Sequence, residues 1–115
     1  MIRSSVIGAG RVAQQHLACL ASLPNVRLVG ICDLSRSLAE SAAERFGITA
    51  WFTDHNQMLA EARPDIVHIT TPPASHFGLA LDCLNAGVHV FLEKPATANF
   101  EEFTTLTGLA KSKGK

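Results

Sequence analysis

The chain has 115 residues, of which 47% are apolar and 17% are charged. This length predicts a single domain, and the apolar fraction suits a buried core rather than a disordered chain. Ten lysine and arginine residues balance ten aspartate and glutamate residues, so there is no overall basic field for nonspecific binding of nucleic acid. No apolar run approaches the ~20 residues that cross a bilayer, which excludes a membrane-spanning helix.

The cysteines and the amino terminus indicate where the protein resides. Cys19, Cys32 and Cys83 are far apart in the sequence, and each lies among apolar residues. They are interpreted as reduced thiols in the core. Residues 1–3 lead directly into an apolar run, without the succession of regions that makes a signal peptide. The sequence therefore predicts a cytoplasmic protein with no membrane partner.

The first stretch of the chain joins a short apolar run, a glycine turn and an amphipathic segment, which predicts strand, turn and helix. In a dinucleotide-binding turn, one glycine adopts unusual dihedral angles and a second lets the backbone approach a pyrophosphate. A small third residue then lets the helix pack closely on the strand. Gly8, Gly10 and Ala13 occupy these three positions.

The helix that starts after this turn favours an anion. Its first residues, Arg11 and Val12, lie where unpaired amides and the positive end of the helix dipole face a ligand. We therefore predict pyrophosphate contacts from Gly8, Gly10, Arg11 and Val12. The same motif also occurs in turns that only pack a helix on a strand and bind no ligand. Other residues of the chain are therefore needed to distinguish the two cases.

Strands and helices alternate along the rest of the chain. After the first helix, which ends near Leu23, the pattern predicts strands at 26–32, 48–52, 65–70 and 88–92. It predicts one helix at 35–46 and a last helix from about 99 onward. Between them it predicts a helix from a cap at Thr53 or Asp54 to 63, and another from a cap at Ser75 to 86. An extended loop is expected at 71–73. This alternation predicts an α/β fold, a doubly wound parallel Rossmann sheet with strand order 3-2-1-4-5.

Asp33 strengthens the nucleotide-binding hypothesis. It ends the second predicted strand, twenty residues after Ala13, where a dinucleotide fold places a carboxylate that accepts hydrogen bonds from the adenosine ribose. A carboxylate repels a 2′-phosphate, which favours NAD over NADP. Arg36 follows three residues later and could pair with a 2′-phosphate, so use of NADP stays open.

The five histidines do not form a pattern for a metal. None lies at metal-ligand spacing from another histidine, a cysteine or a carboxylate, and no metal site is predicted. His68 and His89 fall within predicted strands and are interpreted as packed, hydrogen-bonded side chains.

The whole chain resembles a known family, the glucose-fructose oxidoreductase, inositol dehydrogenase and rhizopine-catabolism (Gfo/Idh/MocA) oxidoreductases. The similarity is to their N-terminal NAD(P)-binding domain. The matching stretches are residues 8–13 with His16, Cys32-Asp33, residues 71–76, and residues 86–95, which end in Glu93-Lys94-Pro95. The last stretch is the most specific, because a fifth strand ending in Glu-Lys-Pro is characteristic of this family.

The resemblance implies roles for further residues. Lys94 would lie beside the nicotinamide and the substrate hydroxyl as the catalytic residue, where an ammonium can stabilise developing alkoxide charge. Glu93 would contact the nicotinamide ribose, and Thr71, Pro72 and His76 would line the same half of the cofactor. The substrate implied is a secondary alcohol of a sugar, cyclitol or related compound.

The resemblance also implies a second domain, a histidine motif and a sixth strand that this sequence is not expected to contain. Members of the family carry a second domain that closes the substrate site and commonly supplies a histidine base from a D-x-x-x-H motif, and no such motif occurs here. The family's sixth Rossmann strand is also expected to be missing. We therefore expect apolar surface near Phe91 and Phe103 to be exposed, with self-association into a homo-oligomer as one consequence.

Two hypotheses about function follow from the sequence. In the first, the chain is the cofactor domain of an NAD(P)-dependent oxidoreductase, which acts on a sugar or polyol only together with the missing domain. In the second, it is a stand-alone nucleotide-binding module without catalysis. A methyltransferase that uses S-adenosylmethionine is a weaker third interpretation, because it shares the glycine turn and the acid but not Glu93-Lys94-Pro95.

Overall fold

The computed structural model describes residues 1–92 and 100–115. Strands and helices alternate from one end to the other, as predicted. The elements are β1 (Ile2–Ile7), α1 (Arg11–Ser22), β2 (Val26–Cys32), α2 (Arg36–Phe46), β3 (Trp51–Phe52), α3 (His55–Ala62), β4 (Ile66–Ile69), a 3₁₀ turn (Pro73–Ser75), α4 (His76–Asn85), β5 (His89–Leu92) and α5 (Phe100–Ser112).

The five strands form one parallel sheet in the order β3-β2-β1-β4-β5, which confirms the predicted topology. Ile7 at the end of β1 pairs with Cys32 of β2 and with Ile69 of β4. The carboxyl ends of these three strands therefore lie side by side. As a result, the loops that follow β1, β2 and β4 meet at one edge of the sheet.

Helices cover the sheet on both faces, and each face has its own buried cluster. On one face, α1 and α2 pack on the sheet through small and branched residues such as Ala13, Leu17 and Ala42 around Ile31. On the other face, α3, α4 and α5 contribute Met58, Cys83 and Leu106, which pack around Val67 and Ile69. Burial on both faces explains why β2 and β4 are mostly apolar.

Capping residues set the ends of several helices. The Ser35 side chain accepts a hydrogen bond from the Leu38 amide at the start of α2, and Gly47 ends that helix with a φ of 69°. Asp54, rather than Thr53, caps α3 by accepting from the Asn56 amide. The prediction that Ser75 caps α4 is wrong, because its hydroxyl donates to the Pro72 carbonyl oxygen and makes no cap bond.

Two loops differ from the predictions for local reasons. β3 begins at Trp51 instead of residue 48, because the Ile48 amide bonds to the Ala43 carbonyl 2.8 Å away and completes the end of α2. The loop after β4 is extended only as far as Pro72. Pro73 then starts a 3₁₀ turn, which the fixed φ of proline suits.

Several predicted core residues are on the surface. Cys19 is exposed because the buried stripe of α1 runs through Ala13, Leu17 and Leu20. His89 was expected to be packed and is exposed on β5, on the same face as Phe91. The exposure expected of Phe91 and Phe103 is confirmed, at 47% and 45%.

Among the helices of the described part of the chain, none is long and apolar enough to cross a membrane.

Candidate functional site

A cavity of about 420 Å³ lies where the loops after β1, β2, β3 and β4 meet. Its position at the carboxyl ends of the strands is where open α/β sheets bind ligands. It is lined by Ile7, Gly8, Cys32, Asp33, Leu34, Thr53, His55, Thr71, Pro72, Ala74, Ser75 and Leu79.

The glycine turn after β1 has the geometry that its sequence predicts. Gly8 has a φ of 103°, and a Cβ atom there would lie 2.8 Å from the hydroxyl oxygen of Thr70. A Cβ atom at Gly10 would meet nothing within 4 Å, so this side of the turn is open. Ala13 is fully buried. The three positions thus provide the turn, the close approach and the helix packing.

The start of α1 can accept an anion. Its N-cap is Gly10, which supplies no side-chain hydrogen bond, and its first turn contains no acidic residue. The first amides are therefore available to a ligand and reinforced by the helix dipole. Arg11 and Val12 are both exposed at this end, beside the turn.

Asp33 joins the glycine turn to the start of α2. One of its carboxylate oxygens accepts from the Ala9 amide and the other from the Ser35 amide, each at 2.8 Å. These two bonds fix the carboxylate at the cavity wall. Each carboxylate oxygen can accept a further hydrogen bond, so the group can also receive the hydroxyls of a ribose.

Cys32 lies next to Asp33 and also lines the cavity. Burial raises the pKa of its thiol to about 11, and the negative charges of Asp33 and Asp54 add to this effect. The thiol is therefore neutral at physiological pH. It acts as apolar wall rather than as a nucleophile.

Arg36 is exposed and does not line the cavity. Its guanidinium carbon lies 5.2 Å from the centre of the Trp51 ring, in a cation–π contact. A 2′-phosphate that paired with Arg36 would compete with this contact.

The loop after β4 brings Thr71 and Pro72 to the cavity, but not His76. The His76 ring is buried, and its Nε2 donates to the Thr71 carbonyl oxygen at 2.8 Å. The Ser75 hydroxyl oxygen also lies 2.6 Å from the Thr71 hydroxyl oxygen. In this structure His76 therefore supports Thr71 from behind, and its place at the nicotinamide half of the cofactor stays a prediction. Glu93 and Lys94 lie outside the described residues.

The cavity contains residues that sequence reasoning missed. His55 and Leu79 line it, and the Nε2 atom of His55 lies 2.7 Å from a carboxylate oxygen of Asp82. The position of His55 just after β3, at the ligand edge of the sheet, is a signal that could have identified it. Leu79 gave no such signal, because it lies on α4 and only the packing of that helix brings it to the cavity.

His68 is packed as predicted. Its Nδ1 lies 3.4 Å from Nδ1 of His16, and its ring contacts Phe91. Burial lowers the pKa of His68, with a smaller effect from His16. Within residues 1–92 and 100–115, no three metal-ligating side chains are grouped together.

The open turn at Gly10, the free helix start and the Asp33 carboxylate fit the pyrophosphate and adenosine ribose of a dinucleotide. Comparison with known proteins agrees. Residues 2–115 match the family described as "Oxidoreductase family, NAD-binding Rossmann fold", which is Gfo/Idh/MocA. The chain belongs to this family.

Relatives within the Gfo/Idh/MocA family include sugar and cyclitol dehydrogenases. The chain is 33% identical to D-glucoside 3-dehydrogenase of Escherichia coli, over 99% of this chain and 33% of that protein. It is 32% identical to scyllo-inositol 2-dehydrogenase (NAD(+)) of Bacillus subtilis, over 98% of this chain and 33% of that protein. The chain thus spans about a third of the length of these relatives.

Solved structures of Gfo/Idh/MocA proteins superpose closely on this one. The WlbA dehydrogenase from Chromobacterium violaceum, in complex with NADH and UDP-GlcNAcA, has a TM-score of 0.94 and 31% sequence identity. The match covers 99% of this chain and 33% of that one. This chain is therefore a Gfo/Idh/MocA domain with the NAD-binding Rossmann fold of that family.

Proposed function

We propose that this domain is the cofactor half of an oxidoreductase that acts on a secondary alcohol of a sugar, cyclitol or related compound. The observation that carries the proposal is the Asp33 carboxylate, fixed by two backbone amides at the wall of a cavity beside an open glycine turn. When bound, the nicotinamide supplies the group that accepts or donates the hydride. The activities named for the family's relatives support the choice of substrate class.

Each part of the site has a separate task in this proposal. The amides at the start of α1, with Arg11 beside them, hold the pyrophosphate, and Asp33 accepts from the adenosine ribose. Thr71 and Pro72 form the wall that continues from the ribose. Lys94 would polarise the substrate oxygen and Glu93 would hold the nicotinamide ribose, as the resemblance to the family implies.

The substrate pocket and its general base are proposed to lie in a further domain. The coverage of the relatives supports this, since the matched part is only a third of each protein. Binding of NAD requires only the loops at the edge of this sheet, whereas turnover also requires a base and a pocket. The hypothesis of a binding module without catalysis therefore also predicts that this chain alone binds NAD without turnover.

A cytoplasmic location is also proposed. Its support comes from the cysteines, because Cys32 and Cys83 are buried as free thiols.

Titration of the 115-residue chain with NADH tests the proposal. We expect enhanced nicotinamide fluorescence that ADP-ribose reverses by competition, because the described site is built for the adenosine and pyrophosphate part. We expect no oxidation of sugars or cyclitols by this chain with NAD. Absence of NADH binding would contradict the cofactor site, and robust turnover would contradict the assignment of the base and pocket to a further domain.

A further inference from the structure

His55 and Asp82 connect two helices at the rim of the cofactor cavity. His55 is the first residue of α3 and lines the cavity, whereas Asp82 lies on α4 and is not among the lining residues. The His55 Nε2 atom lies 2.7 Å from a carboxylate oxygen of Asp82. Asp82 thus holds the imidazole from outside the cavity. The side chains are 22% and 45% exposed, so neither is a core residue.

This contact determines which hydrogen-bonding groups the ring can offer. An ionised carboxylate only accepts hydrogen bonds, so Nε2 of His55 carries the proton in the bond to Asp82. In the neutral ring, Nδ1 is then an acceptor. Among the residues that the structure describes, Nδ1 of His55 has no hydrogen-bond partner. The cavity is therefore lined by an imidazole whose Nδ1 atom has no partner among the described residues.

The other lining residues indicate which part of the dinucleotide lies near His55. In the proposed function, Asp33 accepts from the adenosine ribose at the same cavity. Beyond it, the wall is mainly apolar, with Leu34, Ala74 and Leu79. Such a wall suits the flat faces of a purine, whose polar edge then needs partners at the rim.

We propose that His55 is a specificity-determining residue for adenine, with Nδ1 accepting a hydrogen bond from the exocyclic amine of the base. Asp82 is a positioning residue, because it fixes the tautomer of His55 and the direction of its ring. This inference rests on the proposed NAD site and adds to it the group that selects the base.

The proposal predicts discrimination between two dinucleotides that differ in one group. In nicotinamide hypoxanthine dinucleotide, a carbonyl oxygen replaces the adenine amine. Nδ1 of His55 would then face another acceptor, and the hydrogen bond would be lost. We expect the chain to bind NAD about tenfold more tightly than the hypoxanthine analogue, which corresponds to about 1.4 kcal/mol.

Isothermal titration of the full chain with both dinucleotides provides the test. His55→Phe keeps a ring but removes the acceptor, so the ratio of the two dissociation constants should fall to near one. Asp82→Asn retains an oxygen that accepts from Nε2 and should keep most of the preference, whereas Asp82→Leu should lose most of it. His89→Phe is the matched control, since His89 is exposed on β5 and outside this cavity, and it should leave the ratio unchanged.

The outcomes separate this proposal from the one on which it rests. Equal binding of the two dinucleotides by the unmodified chain, or an unchanged ratio in His55→Phe, would overturn the role of His55 and leave the NAD site intact. Binding of neither dinucleotide would overturn the proposed NAD site, and the role of His55 with it. Because Asp82 is nearly half exposed, the Asp82→Leu variant provides a second test should His55→Phe fail to fold.

Discussion

Gly8 and Gly10 stand two residues apart in one turn and serve different purposes. Gly8 has a φ of 103° and lies against Thr70, with no room for a Cβ atom. Gly10 has a φ of −84° and open space where its Cβ atom would be. The first glycine is required by the backbone and its neighbours. The second is required only by a ligand that approaches the backbone.

Alanine at each position should separate folding from binding. Gly8→Ala should destabilise the protein by on the order of 1–3 kcal/mol, because it combines a positive φ with a clash against Thr70. Gly10→Ala, the matched variant, should change stability by no more than ~0.5 kcal/mol and still weaken NAD binding, since its methyl group occupies the approach of the pyrophosphate. Urea denaturation and NADH titration measure the two effects. Strong NADH binding by Gly10→Ala would contradict a pyrophosphate at this turn.

Asp33 should determine the preference between NAD and NADP. Asp33→Ser removes a carboxylate that accepts from the ribose and repels a 2′-phosphate, so NAD should bind about tenfold more weakly and NADP more tightly than before. Titration of both cofactors checks this, with Glu40→Ser as the control because Glu40 is an exposed acid on α2. An unchanged preference in Asp33→Ser would contradict the role of Asp33.

Short polar contacts at the starts of the helices position the loops that form the cavity. Asp54 caps α3, which begins at His55, and Ser35 caps α2, which begins just after Asp33. Each helix thus starts immediately beside a residue of the site. The caps therefore influence both stability and the geometry of the cavity.

Loss of the α3 cap should be measurable. Asp54→Ala should lower the free energy of unfolding by ~1 kcal/mol, because the Asn56 amide loses its acceptor at 3.0 Å. Glu61→Ala on the exposed side of the same helix is the control, and it should have little effect. Urea denaturation of both variants gives the comparison. Equal stability of Asp54→Ala and the unmodified chain would show that the cap contributes nothing.

Apolar surface is left exposed beside β5 and α5. Phe103 of α5, together with Val90 and Leu92 of β5, lines an open groove of about 230 Å³. Phe91 is also exposed. Surface of this kind favours association with another chain or segment.

We expect the chain to self-associate, or to have marginal stability that NAD improves. Phe103→Lys should reduce self-association in sedimentation velocity, whereas Leu23→Lys, at an exposed leucine after α1, should not. NAD at a hundredfold excess over its dissociation constant should add about 2.7 kcal/mol to the stability and raise the melting temperature. A monomer at high concentration with no NAD-dependent change in melting would contradict this expectation.

Local patterns were sufficient for most of the fold. Strand and helix periodicity, with breaks at Gly47 and Pro64, determined the order of the elements, and strict alternation determined the sheet order. The glycine turn and Asp33 were also identified from the sequence, because each depends on residues close to it in the chain. Errors arose where one polar group had two possible partners, as for the Ile48 amide and the Ser75 hydroxyl.

Spacing along the chain encodes the parallel sheet, the glycine turn and the position of Asp33, the acid proposed to face the ribose, so all three were predicted from the sequence. What lines the rest of the cavity depends on how the helices pack against the sheet and against each other. Leu79 lies on α4, and the packing of that helix brings Leu79 to the cavity and a carboxylate oxygen of Asp82 to 2.7 Å from Nε2 of His55. The same packing turns His76 inward beneath Thr71, because burial depends on neighbours that spacing along the chain does not specify.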